Sequence, residues 1–118
     1  MMRVKNNISE YSENEIIQKR SLREVNRWML DLNEISQECN NVEFEILKKK
    51  NLSDAFFKIV EDNKVLHQLL LEYRNVLDNY IECIDLECDL FFYTEHKKNR
   101  NLYIEHLNNY KKLKNSMV

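Results

Sequence analysis

The sequence of 118 residues contains no glycine and no proline. Tight turns between β-strands usually depend on such residues, because these turns need a positive or a fixed φ angle. Helices need neither residue, and both destabilise a helix interior, by roughly 1 kcal/mol for glycine and 3 kcal/mol for proline relative to alanine. The composition therefore predicts an all-α protein in which asparagine, aspartate and serine form the few bends.

The absence of glycine also argues against several kinds of functional site that are built on glycine. The chain has no glycine-rich phosphate-binding loop, no dinucleotide-binding fingerprint and no nucleophile elbow. Functional residues are found disproportionately on loops, and an almost entirely helical chain has few of them. We therefore expect a protein that is not an enzyme, with no catalytic residues, no cofactor and no bound metal.

Long apolar runs are missing as well. The longest apolar or aromatic run, Leu90 to Tyr93, is far shorter than the roughly 20 residues that span a membrane. The polar start has no secretory signal, and three cysteines lack the dense, even pattern of a secreted disulfide-rich protein. These features predict a cytoplasmic protein that does not bind membranes.

Apolar residues recur every three or four positions along most of the chain, which is the pattern of amphipathic helices. We predict a flexible N-terminal segment at residues 1–11 and a single helical-bundle domain over residues 12–118. The first helix should run over about residues 12–49, beginning at a capping box formed by Ser12 and Glu15.

The second helix should cover about residues 52–84, with Asn51 or Ser53 as its N-cap. It should lie antiparallel to the first helix, because the link between them is short. Its apolar stripe occupies three positions of the heptad, which is wider than the seam of a two-stranded coiled coil. A stripe of this width is typical of a bundle helix that contacts two neighbours.

The heptad register fails after Ile84, which predicts a bend between Asp85 and Asn101. Asp85 could cap a third helix over about residues 86–114, with acidic residues in its first turn. Alternatively, the polar run from Thr94 to Asn101 could form the bend, with the second helix continuing up to it. We predict the first arrangement.

Charge is unevenly distributed along a chain whose formal net charge is −2. Residues 51–95 carry three basic and ten acidic residues, whereas residues 96–118 carry six basic and one acidic residue. Opposite charges attract, so the acidic stretch at residues 78–89 should lie against the basic stretch at residues 97–114. This pairing could occur within one chain or between two copies.

Cysteine and histidine, the usual ligands of a structural metal, are few and scattered. The cysteines fall on apolar stripes, which predicts small buried hydrophobic side chains. The histidines lack the Glu-x-x-His spacing of di-iron bundles, which favours solvated or helix-capping side chains. These residues are Cys39, Cys83 and Cys88, and His67, His96 and His106.

Asn63 occupies a core position of the heptad between Ile59 and Leu66. A buried asparagine at such a position fixes the register and oligomeric state of coiled coils. Alternatively, the stripe is exposed at this point and Asn63 is a surface residue. The sequence leaves both interpretations open.

The C-terminal region combines basic and aromatic residues. Such combinations are typical of surfaces that bind single-stranded nucleic acid. Alternatively, the tyrosines belong to an ordinary packing face and the cations point to solvent, which we favour. The candidate nucleic-acid contacts are Lys97, Lys98, Arg100, Tyr103, Tyr110, Lys111 and Lys112.

Together these patterns predict an elongated antiparallel bundle of about three long amphipathic helices with coiled-coil-like packing. An elongated bundle buries less apolar surface than a sphere, so we expect a homodimer. The leading hypothesis is a non-enzymatic scaffold or adaptor that acts by self-association and protein binding. The alternative is a nucleic-acid accessory protein that uses the Lys- and Tyr-rich C-terminal helix. The residues expected at the helical interface are Trp28, Leu30, Phe44, Asn63, Leu70, Tyr73, Leu77 and Tyr80.

Overall fold

The computed structural model describes residues 13–80 and 85–117. Within these ranges the chain forms three helices, which are α1 (Glu13–Ile46), α2 (Lys50–Leu77) and α3 (Leu86–Met117). Each helix is antiparallel to the next, so α1 and α3 are parallel. The prediction of an elongated all-α bundle is confirmed. Coiled-coil packing and the single-domain division stay predictions, and the N-terminal segment 1–11 lies outside the described residues.

The three helices are packed unequally. Both α1 and α3 pack along α2, whereas α1 and α3 come close to each other at few points. With 34 residues, α1 is about 51 Å long at 1.5 Å per residue. The bundle is therefore a long, partly open arrangement in which α2 is central and a groove separates α1 from α3.

The link between α1 and α2 is residues 47–49 rather than the predicted residues 50–51, and the predicted N-caps are wrong. Asn51 and Ser53 lie inside the first turn of α2, and Lys49 takes the N-cap position without a side-chain hydrogen bond. The backbone closes this turn by itself. The Lys49 N–H donates to the Ile46 carbonyl at 2.9 Å, and the Leu52 N–H donates to the Lys49 carbonyl at 3.0 Å.

Helix α2 ends at Leu77, earlier than the predicted residue 84. The last carbonyls of a helix have no partner within it, and side chains of α1 supply partners here. Gln18 Nε2 donates to the Leu77 carbonyl at 2.8 Å, and Asn14 Nδ2 donates to the Tyr80 carbonyl at 3.4 Å. The predicted final turns at residues 81–84 lie outside the described residues.

Helix α3 begins where the preferred interpretation placed it. Asp85 Oδ1 accepts a hydrogen bond from the Cys88 N–H at 2.8 Å, so Asp85 caps the helix. The alternative bend between Thr94 and Asn101 is wrong, because these residues lie within α3.

The cysteine predictions have mixed outcomes. Cys39 is a free thiol buried in the core, as predicted, and burial raises its pKa. Cys88 is half-buried and disulfide-bonded, so its interpretation as a simple buried thiol is wrong. Cys83 lies outside the described residues.

One hydrophobic core receives side chains from all three helices. The buried residues of α1 alternate in steps of three and four, so that one face of the helix is turned inward. Removing a large side chain from such a core typically costs 2–5 kcal/mol. The largest side chains that are fully buried are Val25, Leu32, Phe56, Leu70 and Leu77.

Candidate functional site

A ladder of hydrogen bonds joins the parallel helices α1 and α3. Glu24 Oε1 accepts from His96 Nε2 at 3.0 Å. One heptad further along both helices, the Tyr103 hydroxyl donates to Asp31. One heptad further again, the Tyr110 hydroxyl donates to Glu38. Each pair is separated by 72 residues in sequence, so the ladder sets one constant axial register between α1 and α3.

The first rung of this ladder continues to α2. His96 Nδ1 lies 2.7 Å from the Tyr73 hydroxyl, which gives the order carboxylate, imidazole, hydroxyl across three helices. Partial burial raises the pKa of Glu24, but hydrogen bonds and attraction from His96 and Arg100 outweigh burial and lower it overall. Burial raises the pKa of Tyr73, and the charges of Glu95 and Glu24 raise it further.

A raised hydroxyl pKa is the opposite of what an activated nucleophile needs. The Tyr73 side chain is also largely buried. The three groups therefore act as a structural hydrogen-bond chain that ties the helices together.

A second polar pair lies deeper in the core. Asn63 Nδ2 donates to the Leu32 carbonyl at 3.0 Å, and Asn63 Oδ1 lies 2.8 Å from His106 Nε2. Since Asn63 Oδ1 can only accept, His106 Nε2 must carry the proton. Burial lowers the pKa of His106, which agrees with a neutral imidazole. Asn63 is thus a buried core residue that joins all three helices.

The histidine predictions are corrected by these contacts. His106 is buried and His96 is half-buried, so neither is a solvated or capping residue. Their partners are on other helices, and nothing in the sequence of α3 alone identifies them. Across residues 13–80 and 85–117, no group of three or more metal-ligating side chains is close enough to hold a metal ion.

A groove of about 1020 Å³ lies between α1 and α3, and the first rung of the ladder forms part of its lining. Its apolar floor includes Trp28, Leu77 and Phe92. Its rim is strongly basic, and Glu24 is the only carboxylate among its described lining residues. The cations of the rim are Arg20, Arg23, Arg27, Lys97 and Arg100.

Three aromatic rings that line this groove are already packed within the bundle, whereas another, Tyr93, is exposed. The Trp28 ring stacks on Tyr103, with centroids 5.3 Å apart and planes at 21°. Tyr80 and Phe92 contact each other with centroids 4.9 Å apart. Trp28, Tyr80 and Phe92 are also buried, so these rings offer no free face on which a nucleic-acid base could stack.

The start of α3 exposes an unusual amount of apolar surface. The side chains of Leu86, Leu90, Phe91 and Tyr93 are exposed by 81%, 59%, 52% and 64%. They lie within eight consecutive residues, whereas scattered exposed apolar residues are ordinary on soluble proteins. The run from Leu90 to Tyr93 is visible in the sequence, but no sequence signal marks these side chains as exposed.

The predicted helical-interface residues fall into two groups. Six of them are buried within the single chain, so the helices cover them without a second copy. These six are Trp28, Asn63, Leu70, Tyr73, Leu77 and Tyr80. The other two, Leu30 and Phe44, are 60% and 73% exposed, and α3 does not cover them.

The two tyrosines among the predicted nucleic-acid residues are packed within the bundle. Tyr110 is buried, and Tyr103 is half-buried against Trp28. Lys97 and Lys98 are neighbours in α3, as are Lys111 and Lys112, and neighbours on a helix point about 100° apart. Arg100 pairs with Glu24 of α1 at 3.2 Å.

The basic residues 97–114 were expected to pair with the acidic residues 78–89. Arg100 and Lys114 form their ion pairs with other carboxylates. Arg100 pairs with Glu24, and Lys114 Nζ lies 3.6 Å from Glu38. Both carboxylates belong to α1. Within one chain, the parallel packing of α1 and α3 therefore supplies these contacts.

Comparisons with known proteins return no relative. No protein-family model, no curated protein and no solved structure matches this chain. None of the helices described is long and apolar enough to cross a membrane.

Proposed function

We propose that this protein is a non-enzymatic helical scaffold that acts by protein–protein association, first of all with a second copy of itself. The observation that supports this is the cluster of four exposed large apolar side chains at the start of α3. Burying apolar surface contributes about 25 cal/mol per Å². Contiguous apolar patches on soluble proteins commonly mark interaction sites.

This proposal moves the interface away from the helical stripe that the sequence suggested. Most of that stripe is covered by the bundle's own helices, whereas the exposed face of α3 has no cover within the described residues. Leu30 and Phe44 are exposed on α1, but they are fourteen residues apart, or about 21 Å along the helix. Two isolated side chains support an interface less than four clustered ones do.

Nucleic-acid binding is the weaker proposal. The basic rim of the groove favours an anionic partner, but Trp28, Tyr80 and Phe92 are packed against other rings, which leaves Tyr93 as the one exposed ring among its described lining residues. Single-stranded nucleic acid is usually held by stacking on free aromatic faces. A cytoplasmic location and a different protein partner remain predictions from the sequence.

Light scattering after size-exclusion chromatography tests the proposal. We expect a dimer for the wild-type protein at micromolar concentration. Leu86→Gln with Leu90→Gln should give a monomer, because four exposed leucines per dimer would lose their apolar contacts, which should weaken the dimer by roughly 100-fold or more. Glutamine is a good helix former, so α3 should stay folded.

The matched control is Leu30→Gln with Phe44→Gln, which changes two exposed apolar residues of α1 and should leave the dimer intact. Circular dichroism should show the same helix content for all three proteins. A wild-type protein that is monomeric throughout the micromolar range would refute the proposal.

A further inference from the structure

An exposed face of α3 carries a regular stripe that extends beyond the exposed apolar cluster and borders the groove, which Tyr93, Lys97 and Arg100 also line. Its members follow one another in steps of four and three residues, which is the spacing of a helix–helix contact surface. All of them are exposed. Over about 27 Å of helix, the stripe consists of Leu86, Leu90, Tyr93, Lys97, Arg100 and Ile104.

Charge along α3 reverses at Tyr93. Residues 85–92 carry three acidic residues and no basic residue, whereas residues 94–101 carry three basic residues and one acidic residue. Asp89 is half-buried and hydrogen-bonded to Tyr80, so Asp85 and Glu87 are the acidic residues exposed at the helix start. Helix α3 therefore presents an acidic end and a basic middle on either side of an exposed tyrosine.

We propose that the protein forms a symmetric dimer in which α3 packs antiparallel against α3 of the second copy, with the two-fold axis near Tyr93. In this arrangement Leu90 lies beside the aliphatic stem of Lys97 from the second copy, a contact that leaves the ammonium group in water. By symmetry, each such contact occurs twice. This inference rests on the self-association proposed above and specifies its geometry.

One ion pair follows from this register. Glu87 and Lys98 lie on the same flank of the stripe, about 100° and 120° from Leu86 around the helix. They are nearly equidistant from Tyr93, six residues before it and five after it. An antiparallel pair therefore places Glu87 opposite Lys98 of the second copy. A parallel pair would instead place Lys97 and Arg100 of the stripe against the same cations of the second copy.

A second copy of the chain can supply both halves of this contact. When the helix is reversed about Tyr93, Glu87 and Lys98 on the flank of the stripe exchange places, so this flank is complementary to its own copy. This is the property that a symmetric dimer interface requires.

Cross-linking tests the position of the two-fold axis. Tyr93→Cys should be joined to itself in the dimer by a short bis-maleimide, because residues near the axis meet their own symmetry copies. Ile104→Cys lies on the same stripe and is the matched control. Its two copies should be about 33 Å apart along the helices, and it should give no more cross-linked dimer than the wild-type protein.

Charge exchange tests the ion pair. Glu87→Lys and Lys98→Glu should each weaken the dimer, by roughly 10- to 30-fold, since two attractive contacts become repulsive. The double variant with both changes exchanges the charges and should recover most of the wild-type affinity. Sedimentation equilibrium at low ionic strength measures all four proteins, because salt screens such pairs.

The outcomes separate this geometry from the proposed function. A dimeric wild-type protein with no Tyr93→Cys cross-link, or with no recovery in the double charge variant, would overturn the antiparallel α3 contact while leaving self-association intact. A monomeric wild-type protein would overturn both. A cross-link at Tyr93→Cys together with recovery in the double variant would establish the arrangement.

Discussion

Replacing Asn63 by leucine tests whether the buried amide is needed to hold three helices together. In the wild-type protein Asn63 Oδ1 accepts from His106 Nε2, and Asn63 Nδ2 donates to the Leu32 carbonyl. Leucine keeps the branched shape of asparagine but has no polar atom. The His106 N–H would then be buried without a partner.

The expected cost follows from what each group loses. A buried donor without an acceptor costs about 1–3 kcal/mol. The Leu32 carbonyl loses less, because it lies inside α1 and keeps its bond within the helix. We therefore expect Asn63→Leu to lower the free energy of unfolding by about 1–3 kcal/mol. The melting temperature should fall by about 4 °C for each kcal/mol.

The double variant Asn63→Leu with His106→Leu removes both polar partners at once. Replacing a whole hydrogen-bonded pair by apolar groups is often nearly neutral. The double variant should therefore be more stable than the sum of the two single changes predicts, by at least about 1 kcal/mol. Asn99→Leu is the control, because the buried amide of Asn99 donates to the Glu95 carbonyl of its own helix and should show no coupling to His106.

Urea denaturation followed by circular dichroism measures these free energies. All variants should be compared at one protein concentration, because association with a second copy stabilises the folded state. If Asn63→Leu is as stable as the wild-type protein, or if the effects of Asn63→Leu and His106→Leu simply add, the buried pair does not hold the helices together.

Two further predictions concern the same polar contacts. Burial lowers the pKa of His106 from about 6.5, so the folded protein binds this proton more weakly than the unfolded chain. The free energy of unfolding should therefore fall as pH drops below about 6.5, and His106→Leu should flatten the dependence between about pH 7 and pH 5; an equally steep dependence in that variant would contradict the assignment. Tyr110→Phe removes the hydroxyl that donates to Glu38 and should cost about 0.5–1.5 kcal/mol in urea denaturation. Tyr93→Phe changes an exposed tyrosine and should have no measurable effect on the free energy of unfolding. Equal losses of this free energy in both variants would show that the hydrogen bond from Tyr110 to Glu38 does not stabilise the fold.

The helices were predictable from the sequence because their signals are local. Missing glycine and proline, apolar residues at three- and four-residue steps, and a capping aspartate each act within a few residues. Asp85 is the clearest case, since it caps α3 through its own first turn. The predicted N-cap of α2 was wrong because it rested on residue type alone. Asn51 and Ser53 are suitable capping residues, but Lys49 takes the N-cap position.

The polar contacts between helices could not be predicted in the same way. His96 and His106 find their partners on other helices, and the pattern along α3 does not contain the axial offset between helices. A signal was nonetheless present. Glu24, Asp31 and Glu38 are spaced by seven residues, and the ladder residues of α3 have the same spacing. Only the structure shows that these two series face each other.

The basic rim of the groove was not predicted, because the net charge was summed over long stretches of the sequence. The arginines at residues 20, 23 and 27 lie in a half of the chain where acidic and basic residues balance. They reach Lys97 and Arg100 only because α1 and α3 are parallel. A linear charge profile cannot detect cations that come from two distant segments.

The seven-residue repeat of the ladder leaves one ambiguity that a single buried contact removes. If α3 slipped by one heptad along α1, Glu24 would meet Tyr103 and Asp31 would meet Tyr110, and both would still be carboxylate–hydroxyl pairs. The ladder by itself thus tolerates two alignments of nearly equal chemistry. His106 has one asparagine partner in the core, Asn63, and the slipped alignment would separate them. A protein without this pair would keep its helices but lose the contact that selects one alignment over the other.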